Sequence, residues 1–64
     1  MDPIDINYRI KKSNSSQADI ARRLKIKRQT VNGVVHGKIV SRRIRKYIAR
    51  VVGLRMRDIW PDAA

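Results

Sequence analysis

The chain has 64 residues, which suffices for one small domain with a small core. It has no cysteine and one histidine, so the sequence offers neither disulfides nor a transition-metal cluster. Sixteen Lys and Arg against five acidic residues give a net charge of +11, while 42% hydrophobic residues indicate a folded chain. These values favour a basic binding module over an enzyme. We also expect that the protein has no metal and no cofactor.

The positive charge is concentrated in one part of the chain. Residues 1–21 contain three acids and three bases, whereas residues 22–57 contain thirteen bases and no acid. This asymmetry predicts a positive field on one side of the fold, which attracts nucleic acid, an anionic membrane surface or an acidic protein. Because no long apolar run is present, we expect neither a membrane span nor a signal peptide, and a cytoplasmic location.

Two short helices are predicted in the first part of the chain. The first is expected over Pro3–Lys12, where Ile6 and Ile10 share one face and Asp2 suits the N-cap. A polar break follows, and Ser16 then caps a second helix. The apolar stripe of this second helix consists of Ile20, Ala21 and Leu24.

The segment after the turn at residues 25–27 permits two interpretations. Asn32-Gly33 between β-branched residues is a strong hairpin signal and would give a hairpin over Ile26–Val40. In the alternative, the segment is a helix that ends at Gly37. The inward side of that helix then consists of Val31, Val34 and Val35. Since Gly33 costs about 0.5–1 kcal/mol inside a helix, these residues alone leave both interpretations open.

A clear helical period predicts a fourth helix, capped by Ser41 and ended by Gly53. Its apolar positions are Ile44, Tyr47, Ile48, Val51 and Val52. The basic residues expected on its opposite side are Arg42, Arg43, Arg45, Lys46 and Arg50. A short last helix within Arg55–Trp60 would place Ile59 and Trp60 as a plug that closes the core.

Besides these helical periods, residues 16–37 contain a longer pattern of polar and apolar positions. It consists of Gln17, Ile20, Ala21, Leu24, Ile26, Val31, Val34 and the ending His36-Gly37-Lys38. This pattern resembles the helix-turn-helix of the Cro/cI-type (XRE-like) phage repressors, although Lys25 stands in the turn where that family usually has glycine. The later segments Val52-Gly53-Leu54 and Ile59-Trp60-Pro61 are similar to those of the small Ner-like regulators of transposing phages.

The resemblance favours the helix over the hairpin for the third segment. It implies an all-α, lambda-repressor-like fold, a compact bundle of four to five short helices that contains a helix-turn-helix and forms one domain over residues 1–64. It also implies double-stranded DNA as the partner, with the second helix of the motif in the major groove.

The site residues divide into two sets. Those expected to contact base edges from the outward side of the groove helix are Arg28, Gln29, Asn32 and Gly33. Those expected to contact phosphates are Gln17, Lys27, Thr30, Lys38, Arg42 and Arg43. Gly33 would let the helix approach the bases closely, and His36 is expected to bond a carbonyl at the helix end.

These features predict a sequence-specific transcriptional regulator, a phage or prophage repressor that binds a palindromic operator as a homodimer formed on DNA. Leu54, Met56 and the C-terminal tail are the candidates for the dimer contact. No catalytic residue and no small-molecule substrate are expected. The alternatives are an architectural or excision-type factor that bends DNA, an RNA binder, and a membrane-surface peptide built on the amphipathic helix over residues 42–52.

Overall fold

The computed structural model describes residues 1–62, which form five helices. These are α1 (Pro3–Lys12), α2 (Gln17–Leu24), α3 (Arg28–Val35), α4 (Arg42–Val52) and α5 (Met56–Ile59). Residues 1–62 contain no strand. The predicted all-α bundle with a helix-turn-helix is therefore confirmed, and the hairpin alternative over residues 26–40 is wrong.

The helix boundaries follow from the side chains at the helix ends. Asp2, Ser16 and Ser41 each accept a hydrogen bond from a backbone N–H in the first turn of the helix that follows, at 2.9, 3.0 and 3.4 Å. Gly53 ends α4 with a φ of 76°, a left-handed conformation that glycine adopts with little strain. The predicted caps are therefore confirmed.

The core is formed by residues from all five helices. Its largest fully buried side chains are Ile6, Ile10, Ile20, Val31, Val34, Ile48 and Ile59. Trp60 is also buried, so the predicted plug at the end of the chain is confirmed. The N-terminal amine donates a hydrogen bond to the carbonyl of Ile59 at 2.7 Å, which joins the two ends of the described chain.

Arg45 departs from the prediction that it lies on the exposed side of α4, because it is only 5% exposed. Its guanidinium carbon lies 5.1 Å from the centroid of the Trp60 ring, and its Nη1 donates to Asp62 at 3.2 Å. The buried Nε of Arg45 has no hydrogen-bond partner within residues 1–62. The helical period of α4 assigns Arg45 to the polar side of the helix. The contact with Trp60 that buries Arg45 comes from a distant part of the chain, so the period does not reveal it.

We expect Arg45→Ala to destabilise the protein by about 1–3 kcal/mol, because it removes the packing of the arginine over Trp60. Asp62→Asn should change the stability by less than about 1 kcal/mol, since the Asp62 side chain is 67% exposed. Urea unfolding followed by circular dichroism measures both. Equal losses would show that the ion pair, and not the stacking, holds this end of the chain.

The short helix α5 has a paired carboxylate in its first turn. Asp58 accepts hydrogen bonds from the backbone N–H and the Nε of Arg55, at 3.3 and 3.1 Å. The hydrogen bond from the Arg55 side chain holds the pKa of Asp58 below its ordinary value of 3.8. This contribution to stability is fully present above that ordinary value and is lost as the pH falls through the lower folded-state pKa.

Candidate nucleic-acid interface

A three-residue turn sets the angle between α2 and α3. Lys25, which stands in the turn, adopts a left-handed conformation, with φ 57° and ψ 46°. The next residue, Ile26, donates its backbone N–H to the carbonyl of Ala21 at 2.9 Å. Ala21 is buried in α2, which packs directly against α3. The turn and this small side chain thereby fix the orientation of α3 relative to α2.

The side chains of α3 divide into a buried and an exposed set. Val31, Val34 and Val35 are buried in the core. Arg28, Gln29 and Asn32 are exposed, as predicted for side chains that contact base edges. The first turn of α3 contains no acidic residue, and its N-cap residue makes no side-chain hydrogen bond. The first N–H groups of this helix and its dipole therefore favour an anion at this end.

Gly33 does not lie with the exposed set, and the prediction that it faces outward to the bases is wrong. It is buried, because the loop after α3 folds back over it. The backbone N–H groups of Lys38 and Ile39 donate to the Gly33 carbonyl at 2.9 and 3.1 Å. A Cβ atom at Gly33 would lie 2.5 Å from Cδ1 of Ile39. Because it lacks a Cβ, Gly33 leaves room for Ile39 to pack against α3.

The side chain of Ile39 decides the effect of Gly33→Ala on stability. In an Ile39→Ala background, we expect Gly33→Ala to stabilise the protein by about 0.5–1 kcal/mol through helix propensity. In the unmodified chain the same change should gain less or destabilise, because the new methyl group displaces Ile39. The free energies of unfolding of the unmodified protein, the two single variants and the double variant complete a double-mutant cycle. Additive effects of the two substitutions would contradict the contact.

Side chains from three helices converge beside the exposed side of α3. A shallow depression of about 380 Å³ is lined by Gln17, Arg28, Gln29 and Asn32. A second depression of about 460 Å³ shares three of these residues and extends to Asn7 and Lys11 on α1. We call this combined area the α3 surface. It brings together three of the predicted base-contacting residues and Gln17.

Gln17 occupies the first position of α2 and is half-buried. Its Nε2 donates a hydrogen bond to Oδ1 of Asn7 at 2.6 Å, so α1 positions this side chain. The sequence analysis gave α1 only a structural role and missed Asn7 and Lys11. The signal available was their spacing, since two polar residues one turn apart share a side of the helix that is distinct from the apolar side.

These observations describe a helix with one exposed polar side, which follows a tight turn in a strongly basic chain. Residues 1–63 match the family described as winged helix-turn-helix DNA-binding. The chain belongs to this family. Comparisons with curated proteins and with solved structures give no match. Within residues 1–62 this winged helix-turn-helix chain has no strand, so that part of it contains no β-wing beside the motif.

The other predicted phosphate contacts of this winged helix-turn-helix chain differ in exposure. Lys27, Lys38 and Arg42 are exposed, whereas Thr30 is half-buried. Arg43 is exposed, and its Nη2 donates to the carbonyl of Leu24 at the end of α2, at 3.3 Å. In the free protein this guanidinium therefore caps α2.

Three further predictions concern residues outside the α3 surface. The predicted carbonyl bond of His36 is confirmed, since its Nδ1 lies 3.0 Å from the carbonyl oxygen of Asn32. Leu54 and Met56 are half-buried and pack against the core, which leaves less of each side chain for a dimer contact. The last two residues of the C-terminal tail lie outside the described residues.

Residues 1–62 contain no group of three His, Cys, Asp or Glu side chains that could hold a metal ion. None of the five helices in that range has the length and apolar content that crossing a bilayer requires.

Proposed function

We propose that this protein is a sequence-specific, double-stranded DNA-binding transcriptional regulator that works in the bacterial cytoplasm. More narrowly, we propose a Cro/cI-like repressor of a phage or prophage that inserts α3 into the major groove. The observation that carries the proposal is the exposure of Arg28, Gln29 and Asn32 on one side of α3. This side lies in a stretch of the sequence with thirteen bases and no acid.

The proposed base contacts follow from the donor and acceptor groups of these three side chains. The guanidinium of Arg28 can donate two hydrogen bonds to O6 and N7 of guanine. The amides of Gln29 and Asn32 each offer one donor and one acceptor, which match N7 and the amino group of adenine. Arg28 and Gln29 are the first two residues of α3 and Asn32 follows one turn later, so the helix would enter the groove by its N-terminal end.

The proposed phosphate contacts lie on several elements around α3. Gln17 at the start of α2 would bond one phosphate, while Lys27 and Lys38 lie just before and after α3. Arg42 begins α4, and Thr30 lies on α3 itself. Arg43 would exchange the Leu24 carbonyl for a phosphate oxygen. Such contacts fix the position of the protein on the duplex and make binding depend on salt, but they carry little sequence information.

We further propose that two copies bind a palindromic operator. One copy presents only three side chains to the bases, so a second copy doubles the length of sequence that is recognised. Half-sites would lie about 34 Å apart, one helical turn of DNA. The longest dimension of the described residues is 27 Å, which is comparable to this spacing.

The membrane-surface alternative is not supported by the packing of α4. A helix that binds lipid must offer its apolar face to the bilayer. In α4 the side chains of Ile44, Ile48 and Ala49 are buried in the core. In the folded chain these side chains of α4 are therefore occupied by core packing and are not offered to lipid.

Selection of bound sequences from a pool of random duplexes tests the proposed function. We expect a short palindrome whose half-sites are one helical turn apart. The matched control is the Arg28→Ala, Gln29→Ala double variant, which should retain weak binding to DNA and select a degenerate sequence. Recovery of no preferred sequence by the unmodified protein would overturn the proposal and would favour an architectural factor that bends DNA.

A further inference from the structure

Helix α1 exposes two large apolar side chains on the side that faces away from the core. Ile4 is 76% exposed and Tyr8 is 64% exposed, and they lie one helical turn apart. On the opposite side of the same helix, Ile6 and Ile10 are buried. Ile4 and Tyr8 thus form a short apolar stripe that no other part of residues 1–62 covers.

Charged residues of opposite sign flank this stripe. Asp5 lies about one turn before Tyr8, and Lys12 lies one turn after it, so both share the outward side of α1. Both side chains are exposed, and neither forms an ion pair within the part of the chain that the structure describes. The sign of the charge therefore changes along the helix, with Tyr8 near the middle.

A surface with this pattern is complementary to itself. When a second copy of α1 is placed antiparallel across a two-fold axis between positions 8 and 9, Asp5 faces the partner's Lys12, and the reverse pair forms by symmetry. Tyr8 then packs against the partner's Tyr8. A parallel arrangement would instead place like charges opposite each other. We propose that the α1 stripe, which comprises Ile4, Asp5, Tyr8 and Lys12, is the contact surface between two copies of this chain.

This contact rests on the proposed function, because the stripe is too small for a stable dimer in solution. A helix of ten residues is about 15 Å long, and interfaces of that scale are weak. Two copies held on adjacent half-sites have a high effective concentration, so a weak contact is enough to make their binding cooperative.

The position of α1 agrees with a contact made on DNA. Asn7 and Lys11 of this helix line the α3 surface together with Arg28 and Asn32. The apolar stripe lies on a neighbouring side of the same helix. A copy on the next half-site could therefore touch the stripe while α3 occupies the groove.

Charge reversal in two separate variants tests the contact. We expect Asp5→Lys and Lys12→Asp each to lower cooperativity roughly tenfold, because each places two like-charged pairs across the interface. Cooperativity is measured as the ratio of binding to a duplex with two half-sites and to a duplex with one half-site. This ratio removes the effect of each substitution on general attraction to DNA.

An equimolar mixture of the two variants is expected to regain the lost cooperativity. In the mixed pair, both contacts again join opposite charges, although neither variant can form them with itself. Each chain carries only one of the two substitutions, so the recovery must come from a contact between two chains. The matched control mixes Asp5→Lys with Arg50→Asp, which reverses an exposed charge on α4 and should restore nothing.

Two results would overturn the contact. One is unchanged cooperativity in both single variants, and the other is a mixture no more cooperative than its components. If the one-site duplex is bound without sequence preference, the proposed function itself fails. The two failures are therefore separate observations in the same titrations.

Discussion

Arg28→Ala is expected to lower the preference for the selected duplex over a scrambled duplex by about 1–3 kcal/mol. The exposed Arg28 lines both depressions of the α3 surface, and alanine removes the two donors that we propose bond guanine. The loss should fall on the selected duplex and leave binding to the scrambled duplex reduced only by the missing charge. Titrations of both duplexes at several salt concentrations measure the difference.

The matched control for Arg28→Ala is Lys38→Ala. Lys38 is exposed in the loop after α3 and is proposed to contact a phosphate. Its loss should weaken binding to both duplexes alike and lower the slope of binding against salt by about one. If Arg28→Ala also weakened both duplexes alike, the assignment of α3 to the groove would be wrong.

Ile48→Ala is expected to destabilise the folded protein by about 2–5 kcal/mol. Ile48 is 0% exposed at the centre of α4, so its truncation leaves a cavity that the surrounding helices only partly fill. A domain of 64 residues has only a few kcal/mol of net stability, so this change should leave much of the population unfolded at 37 °C.

The same substitution at Ile4 is the control for Ile48→Ala. Ile4 is 76% exposed, so Ile4→Ala should change the free energy of unfolding by no more than about 0.5 kcal/mol in the absence of DNA. Urea unfolding of both variants gives the comparison. Similar losses at positions 4 and 48 would mean that the core is not where the structure places it.

Most of the fold could be predicted because local signals agreed with one another. The caps at Asp2, Ser16 and Ser41 and the stop at Gly53 all act within a few residues of the helix ends that they define. The apolar periods of α1 and α4 likewise identified Ile6, Ile10, Ile44 and Ile48 as buried. These features require no knowledge of distant contacts.

The third helix could not be decided from local signals. Asn32-Gly33 favours a hairpin turn, whereas the valines around it favour a helix, and only the resemblance to phage repressors separated the two. The structure supplies the physical reason for the helix. Val31, Val34 and Val35 are all buried against the other helices, and this burial outweighs the small helix cost of Gly33.

The exposure of the candidate site residues was predicted where it follows from helix periodicity and was missed where it depends on distant residues. Arg28, Gln29 and Asn32 are exposed as expected. Gly33 is covered because Ile39 folds back over it, and Arg45 is buried because Trp60 packs against it. No pattern within α3 or α4 contains either contact, so the sequence predicted both positions as outward.

Amide chemical shifts during a titration with the selected duplex test the central claim most directly. We predict that the largest changes occur in residues 28–36 and at the start of α2, with smaller changes at Asn7 and Lys11 and almost none in α5. A scrambled duplex should give weaker changes spread over the basic surface. Large changes centred on α5, with α3 unaffected by the selected duplex, would contradict the account of α3 as the helix that reads DNA.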